Sequence, residues 1–405
     1  MNSFEKFQRF LIFFLVAIGF FFGGYYFGTK GYLIELRKNP PEVKIINQYP
    51  SDTTVDFTLF WDIWDSVSKN YLERPIDPQK MLYGAIKGMV DSLEDPYTSF
   101  LPPTVNETVN NSLEGKYFGI GAELGVRDDQ IIVVAPLDGS PAQDAGLRAG
   151  DKILGIEGKS TAGITVTEAV SQIRGDAGTL ITLTVQTQNN EPREVKIKRD
   201  VIKIDSVTWK DKGDGTAYIR IGRFGSETNN EWNKVVSEVN SQMTELDAII
   251  LDVRGNPGGY LQSSVHISEE FFRGKPVLYQ ESALGEQEAY MAKRVGAFDK
   301  IPAVFILIDG GSASASEILA LALRDNINAK LIGTKSYGKG TIQDAENFKD
   351  GSGLHLTIAK WLSPKKEWIH EIGIEPEIKV EITDDDINNG RDPQLDKAVE
   401  LAKEI

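Results

Sequence analysis

Residues 308–343 decide how the chain is organised: IDGGSASASEILALALRDNINAKLIGTKSYGKGTIQ. Three serines, Ser312, Ser314 and Ser316, alternate with alanine directly before an apolar helical pattern. A serine at a helix N-terminus lies beside unpaired N–H groups and the positive end of the helix dipole, which favour a developing oxyanion. The stretch therefore predicts a nucleophilic serine, and the residues alone do not choose among the three.

A serine hydroxyl needs a base before it attacks a carbonyl carbon. The chain has three histidines, His266, His355 and His370, and none lies in a recognisable catalytic context. Lys339 stands between two glycines and is the better candidate, because a desolvated lysine can lose its proton.

The same serines also fit a structural role. Ser314 and Glu317 match a capping box, in which a serine and a glutamate three residues later satisfy free N–H groups of a first helical turn. By sequence pattern alone that role is the commoner one. The two roles are compatible, because a capping position is also an anion-binding position.

The glycines around Lys339 match the opening of a phosphate-binding loop, Gly-x4-Gly-Lys, over residues 333–339. In that motif a Ser or Thr follows the lysine and a helix comes next. Here Gly340 follows, and residues 341–348 and 354–360 predict a β-hairpin. The nucleotide-binding interpretation is therefore rejected.

Composition narrows the functional class. With 405 residues the chain is longer than one ordinary domain needs, and its 41% apolar content is enough for buried cores. The formal net charge of −15 argues against a nucleic-acid backbone as ligand, which requires a basic patch. The absence of cysteine excludes disulfides, thiol catalysis and cysteine-ligated zinc.

The serine stretch and Tyr-Gly-Lys-Gly-Thr-Ile-Gln at residues 337–343 resemble the carboxyl-terminal processing (tail-specific) serine peptidases. This resemblance implies a Ser–Lys dyad assisted by a glutamine. Ser314 would be the nucleophile, Lys339 the base and Gln343 the assisting amide. No metal or organic cofactor is implied.

A glycine-rich turn, Leu251-Asp-Val-Arg-Gly-Asn-Pro-Gly-Gly-Tyr, follows a predicted buried strand. The family takes one oxyanion-hole amide from this turn and the other from the residue after the nucleophile, which implies Gly258 or Gly259, and Ala315. Pro257 departs from the commoner all-glycine ending and has no N–H to donate. A plain strand-to-helix turn is the alternative. The turn and Ser314 both follow buried strands, so they can share one edge of a sheet.

Residues 115–200 predict a compact β-rich module that resembles a PDZ domain, most specifically over residues 145–156. The resemblance implies capture of a protein C-terminus by strand addition, with loop amides holding the terminal carboxylate. A plain turn is the alternative for the loop glycines. The loop consists of Phe118, Gly119, Ile120 and Gly121.

Arg174 ends the predicted helix of the module and has two interpretations. It is either a helix C-cap charge or a residue that reports occupancy of the PDZ domain to the catalytic body.

The N-terminal region predicts membrane attachment. Phe10–Phe27 is an unbroken run of 18 apolar and glycine residues, the lower limit for crossing a bilayer. Residues 1–30 are predicted to be a retained anchor, with a cleaved secretory signal as the alternative. Basic residues flank both sides of the run, so outward placement of the body rests on the family resemblance and not on charge. Residues 31–51 contain Pro40-Pro41 and show no sustained periodicity, which predicts a stalk that lifts the body off the membrane.

The remaining segments predict helices at 52–114 and an α/β body at 201–405, including a helix at 265–272. Asp95-Pro-Tyr-Thr is similar to a family signature, but no chemistry is assigned to it. The resemblance runs from about residue 52 to the C-terminus.

The resemblance implies a multidomain α/β protein. Its parts would be a crotonase/Clp-like spiral peptidase core, an inserted PDZ domain, an N-terminal helical segment with homodimer contacts, and a single transmembrane helix. The implied function is a serine endopeptidase that cleaves extracytoplasmic proteins with accessible apolar C-termini. The alternative function is a membrane-tethered PDZ adaptor that binds tails without hydrolysis.

Overall fold

The computed structural model of the chain describes residues 3–29, 32–38, 41–47, 55–127, 130–137, 139–148, 150–164, 166–187, 190–383, 385–386 and 389–405. These residues divide into two compact units, Met1–Lys80 and Met81–Ile405. The first unit begins with helix α1, Ser3–Thr29, whose stretch Phe7–Tyr26 is long and apolar enough to cross a membrane. That test rests on length and composition alone, and a signal sequence passes it too.

The rest of the first unit contains two strands and a helix. Strands β1, Tyr32–Lys38, and β2, Pro41–Asn47, pair antiparallel. Helix α2 covers Thr58–Asn70, and helix α3, Pro78–Asp91, crosses into the second unit. The prediction of helices in this region is confirmed.

The expected lack of regular structure in residues 31–51 is wrong for most of that segment, while its role as a stalk stays a prediction. Strands β1 and β2 are in register from Tyr32 opposite Asn47 to Lys38 opposite Pro41. Leucine, isoleucine and valine recur in both stretches, and such residues favour extended strands. A proline is tolerated at the first residue of β2 because no ladder N–H is needed there.

The second unit continues with a short strand and a helix, followed by the β-rich module. Strands β10, β9, β7, β6 and β5 form its sheet in that order, β8 pairs with β7, and β4 pairs antiparallel with β11. The elements are β3 Ser99–Leu101, α4 Pro103–Leu113, β4 Lys116–Gly119, β5 Ala122–Arg127, β6 Gln130–Pro136, α5 Pro141–Asp144, β7 Lys152–Ile156, β8 Lys159–Ser160, α6 Val166–Ile173, β9 Leu180–Gln186, β10 Arg193–Lys198 and β11 Asp200–Lys203.

The α/β body contains two sheets. One sheet has the strand order β12-β13-β14-β17-β18-β21, and the other has the order β16-β15-β20-β19 with β3 paired to β20. The elements are β12 Val207–Asp211, β13 Thr216–Ile221, α7 Thr228–Gln242, β14 Ala248–Asp252, α8 Leu261–Ser268, β15 Pro276–Ser282, β16 Gln287–Met291, β17 Ala303–Ile308, α9 Ala315–Ile327, β18 Lys330–Gly333, β19 Thr341–Asn347, β20 Gly353–Leu362, β21 Ile378–Lys379 and α10 Pro393–Ala402.

Parallel pairing brings two loops to one edge of the larger sheet, as predicted. Strands β14 and β17 run parallel, with Asp252 opposite Leu307 near their carboxyl ends. The glycine turn follows β14 and the serine loop follows β17. Their backbones are joined, because Ala313 N–H donates to Asn256 O at 3.0 Å.

One predicted helix is displaced along the chain. Helix α8 ends at Ser268, four residues before the predicted end of the 265–272 helix. Phe271 and Phe272 extend the apolar pattern and are buried, yet neither belongs to a helix. Phe271 packs with its ring centroid 6.1 Å from that of Trp232. Burial of large aromatic side chains outweighs the helical pattern here.

Candidate active site

Ser314 has an unusual backbone conformation at the start of α9. Its φ of 55° and ψ of −114° lie outside the regions that L-residues ordinarily occupy. Such a conformation costs about 1–3 kcal/mol and persists only where the surroundings impose it. Ser314 N–H donates to Glu317 Oε2 at 2.8 Å, so the glutamate makes the contact that the capping-box pattern predicts.

The three serines of the stretch have different partners. Ser312 Oγ donates to Val253 O at 2.8 Å, and Ser316 Oγ donates to Asn256 O at 2.9 Å. Among the described residues, none accepts a hydrogen bond from the half-buried Ser314 hydroxyl. The geometry therefore separates Ser314 from its two neighbours, a distinction that the residue pattern alone left open.

Gly258 lies directly against Ser314. A Cβ atom on Gly258 would lie 2.8 Å from Ser314 Cβ and 3.0 Å from Ala315 N. The φ of Gly258 is +99°, a conformation that side chains disfavour. Close approach and backbone angle therefore both require glycine at this position.

The amides around Ser314 are not equivalent. Gly258 N–H donates to Oδ1 of the buried Asn256 at 2.9 Å. Asn256 is in turn fixed because its Nδ2 donates to Ile221 O at 2.9 Å. In the part of the chain that the structure describes, Gly259 N–H and Ala315 N–H have no acceptor. In this arrangement Gly259 and Ala315 offer free amides, and Gly258 does not.

Lys339 is joined to Ser314 through Glu317. Lys339 N–H donates to Glu317 Oε2 at 2.9 Å, the same oxygen that accepts from Ser314 N–H. The Lys339 amine lies 5.0 Å from the centroid of the Tyr97 ring. No residue that the structure describes forms a hydrogen bond or ion pair with this amine, Ser314 included. Catalytic hydrogen bonds often tighten only when substrate is bound.

The surroundings of Lys339 favour its neutral form. Burial lowers the pKa of Lys339 below its ordinary value, while the carboxylates of Asp95 and Glu317 act in the opposite direction. His355 lies in the same environment, since burial and then the Lys339 charge lower the pKa of His355. A neutral amine is the form that a general base requires.

Gln343 lies at a bulge in the β19–β20 hairpin. Its amide nitrogen donates to Thr341 Oγ1 at 2.9 Å and to Thr357 Oγ1 at 3.1 Å. Gln343 makes no hydrogen bond to Lys339 in the described structure. Because two hydroxyls hold the nitrogen, Oε1 is the acceptor that remains for an amine.

The segment Asp95–Thr98 lies at this site, although no chemistry was assigned to it from the sequence. Tyr97 places its ring beneath the Lys339 amine. Thr98 Oγ1 donates to Asp95 Oδ2 at 2.6 Å and accepts from Thr357 N–H at 3.0 Å, which fixes the segment to β20. The Asp-Pro-Tyr-Thr pattern gave a turn signal, but nothing in it indicated contact with a lysine far along the chain.

The module has a groove between β5 and α6 that encloses a cavity of about 320 Å³. All four predicted loop residues line it, together with apolar side chains such as Leu124, Val170 and Ile173. The N–H groups of Ile120 and Gly121 have no acceptor among the described residues. The loop residues are Phe118, Gly119, Ile120 and Gly121.

Arg174 follows α6 directly and lies beside strand β4. Its guanidinium lies 5.0 Å from the centroid of the Tyr117 ring in β4. Arg174 lines both the groove and a second cavity of about 700 Å³ that α4 also lines. Arg174 therefore contacts β4 and lines a cavity with α4, the helix that precedes the module.

Profiles of three known families match the chain. Peptidase family S41 matches residues 215–380, the PDZ domain matches residues 132–187, and the N-terminal domain of the activating protease CtpB matches residues 16–103.

Two curated proteins give the same family, and a solved structure shares the fold. The carboxy-terminal processing protease CtpA of Bacillus subtilis (strain 168) is 36% identical over 322 residues, 79% of this chain and 68% of that protein. The carboxy-terminal processing protease CtpB of the same strain is 37% identical over 326 residues, 79% of this chain and 67% of that protein. The structure of a putative S41 protease from Bacteroides fragilis NCTC 9343 shares the fold, with a TM-score of 0.57, 16% identity, and coverage of 87% of this chain and 98% of that one.

An α/β peptidase body joined to a PDZ domain defines the class as a PDZ-containing serine peptidase. The chain belongs to the carboxy-terminal processing proteases of peptidase family S41, and it is a serine-type endopeptidase. A tail-binding adaptor without hydrolysis is not favoured.

Proposed function

We propose that this protease uses Ser314 as nucleophile and Lys339 as general base. The observation that carries the proposal is the strained backbone of Ser314 at the N-terminus of α9, whose hydroxyl donates to no acceptor among the described residues. Strained residues cluster at functional sites. The lowered pKa of Lys339, caused first by burial, supports its role as a base.

The proposed reaction has two stages, transfer of the substrate acyl group to Ser314 and hydrolysis of the resulting ester. The neutral Lys339 amine takes the Ser314 Oγ proton as Oγ bonds to the substrate carbonyl carbon. The resulting ammonium gives that proton to the leaving amine as the C–N bond breaks. Lys339 then takes a proton from water as the water oxygen bonds to the ester carbon. The bond from that carbon to Ser314 Oγ breaks, the acid is released, and Lys339 returns the proton to Oγ. Gln343 Oε1 would orient the amine, which the fixed amide nitrogen supports.

The oxyanion would bind to two backbone amides. Ala315 N–H is one, and the glycine turn supplies the other from Gly258 or Gly259. Gly259 is the better supported of the two, because Gly258 N–H already donates to Asn256. Preorganised donors of this kind are worth several kcal/mol in the transition state.

The PDZ groove would select substrates with accessible apolar C-terminal tails. Its apolar lining and the free amides of Ile120 and Gly121 support capture of a hydrophobic terminal residue and its carboxylate. We assign Arg174 the role of reporting tail occupancy to the body.

We further propose that α1 anchors the protease and that the body acts outside the cytoplasmic membrane. The apolar stretch Phe7–Tyr26 supports an anchor. Exposed apolar side chains on α2, including Leu59, Trp61 and Ile63, support a homodimer through the helical region.

Substitution of the dyad tests the proposal. Ser314→Ala and Lys339→Ala should each lower turnover of a reporter protein with an apolar tail by orders of magnitude, because a nucleophile and its base act as a unit. Unchanged circular dichroism and melting temperature would show that the fold is retained. Turnover by Ser314→Ala at the wild-type rate would refute the assignment.

A further inference from the structure

Glu317 is a buried carboxylate with four donors, although its sequence pattern predicted only a cap on α9. It is 1% exposed. Oε2 accepts from Ser314 N–H at 2.8 Å and from Lys339 N–H at 2.9 Å. Oε1 accepts from Ser336 Oγ at 2.6 Å and from Gly338 N–H at 2.7 Å.

This carboxylate is fully satisfied as an anion. An ionised carboxylate has about four acceptor positions, and four donors occupy them. Burial raises the pKa of Glu317, whereas the hydrogen bonds from Ser336, Lys339, Ser314 and Gly338 act in the opposite direction. A protonated or amidated side chain would direct a hydrogen at one of these donors and break the set.

We propose that Glu317 is a positioning residue that fixes the nucleophile and the base relative to each other. One oxygen, Oε2, holds the backbone nitrogens of Ser314 and Lys339, which belong to different loops of the body. The inference rests on the proposed dyad. It goes beyond helix capping, because a cap would need only the bond to Ser314.

The same contact explains how Ser314 keeps its strained backbone. The bond from Ser314 N–H is charge-assisted, and such bonds are about twice as strong as neutral ones. With that N–H committed to Glu317, Ala315 supplies the next free amide on the helix. Ser336 Oγ and Gly338 N–H both donate to the other oxygen, Glu317 Oε1. These bonds hold the loop 336–339 and help to fix the backbone position of Lys339.

Several charged and titratable groups face the Lys339 amine. The carboxylates of Asp95 and Glu317 favour the ammonium form, and the Tyr97 ring lies against it. His355 lies close enough for the Lys339 charge to lower the His355 pKa. Removal of the Glu317 charge therefore favours the neutral amine, and the acid limb of the pH profile should move to lower pH.

The experiment compares Glu317→Gln with the wild-type full-length protein. We expect kcat/KM for a tailed reporter to fall about 100-fold, because misplacement of reacting groups by about 1 Å costs that much. We expect kcat to carry most of the loss and the acid limb to move to lower pH. A residue that only stabilised the helix would lower the melting temperature and leave kcat near the wild-type value.

Two variants keep the test decisive. Ser336→Ala removes one donor to Glu317 and the acceptor of Ile374 N–H, but it leaves the bonds from Ser314 and Lys339 to Glu317 in place. Its loss of kcat/KM should therefore be under tenfold, and this can be measured even if Glu317→Gln does not fold. Glu270→Gln changes another buried carboxylate, which accepts from Ala297 N–H and Trp232 Nε1, and it should leave the acid limb in place.

The outcomes separate this inference from the proposed function. Wild-type kcat/KM and an unmoved acid limb in Glu317→Gln would overturn the positioning role while Ser314→Ala and Lys339→Ala remained inactive. A loss in Ser336→Ala as large as that in Glu317→Gln would also overturn it. Activity in Ser314→Ala would instead overturn the dyad.

Discussion

At the residue scale, a single carbon atom added at Gly258 would collide with the loop that carries Ser314. The turn after β14 contains three glycines at positive φ, Gly255, Gly258 and Gly259, and the surroundings of the first two differ. A Cβ on Gly258 would collide with Ala313 O and Ser314 Cβ, both at 2.8 Å, whereas a Cβ on Gly255 would meet nothing within 4 Å. The two positions therefore separate steric blocking of the site from backbone strain alone.

Alanine substitution at these glycines should have unequal effects. Gly258→Ala should lower kcat by about 100- to 1000-fold, the loss typical of a damaged oxyanion site. Gly255→Ala shares the positive φ and should cost about 1 kcal/mol of stability with little effect on kcat. Steady-state kinetics and thermal melts measure both. Equal kcat values in the two variants would contradict the close packing described here.

Tyr97 should influence the ionisation of Lys339. The aromatic face favours a cation, so its removal should lower the pKa of Lys339 further and move the acid limb of kcat/KM to lower pH. Tyr97→Leu tests this, and Tyr97→Phe is the control that keeps the ring. A pH profile that shifts equally in both variants would mean that the tyrosine hydroxyl, and not the ring, acts on the lysine.

At the scale of elements, short connections join the PDZ domain to the glycine turn after β14. Where the chain leaves the module, Ile204 N–H donates to Gly115 O at 3.1 Å. Phe224 follows β13, and its N–H donates to Gly258 O at 2.9 Å. A buried parallel bridge also links Phe224 to Gly259. Arg223, next to Phe224, donates to Ile204 O, so we expect a change where the chain leaves the module to reach the residues beside Ser314.

Arg174 is the residue at which the proposed coupling between the PDZ domain and the catalytic body can be tested. Arg174→Ala should reduce the ratio of turnover between a protein with a free apolar C-terminus and the same protein with an amidated one, because the contact with Tyr117 is lost. Arg193→Ala, whose guanidinium bonds to Gly146 O elsewhere in the module, is the control. An unchanged ratio in Arg174→Ala would assign this arginine to helix capping.

At the scale of the whole molecule, local sequence patterns predicted most helices and strands. The arrangement of the candidate site depends instead on contacts between residues far apart in the chain. The strand before Ser314 and the hairpin after Lys339 follow from periodicity, and both are confirmed. The contact between Tyr97 and Lys339 joins residues far apart in the chain, so no local pattern contains it. The proposed preference for Gly259 over Gly258 rests on the side chain of Asn256, whose orientation depends on Ile221.

The most direct test of the account is to trap the covalent intermediate. A tailed reporter is mixed with the full-length protease, quenched in acid during turnover, digested and analysed by mass spectrometry. The account predicts that the substrate segment on the N-terminal side of the cleaved bond is esterified to Ser314, with no adduct in Lys339→Ala. An adduct on another residue, or full turnover by Ser314→Ala, would contradict it.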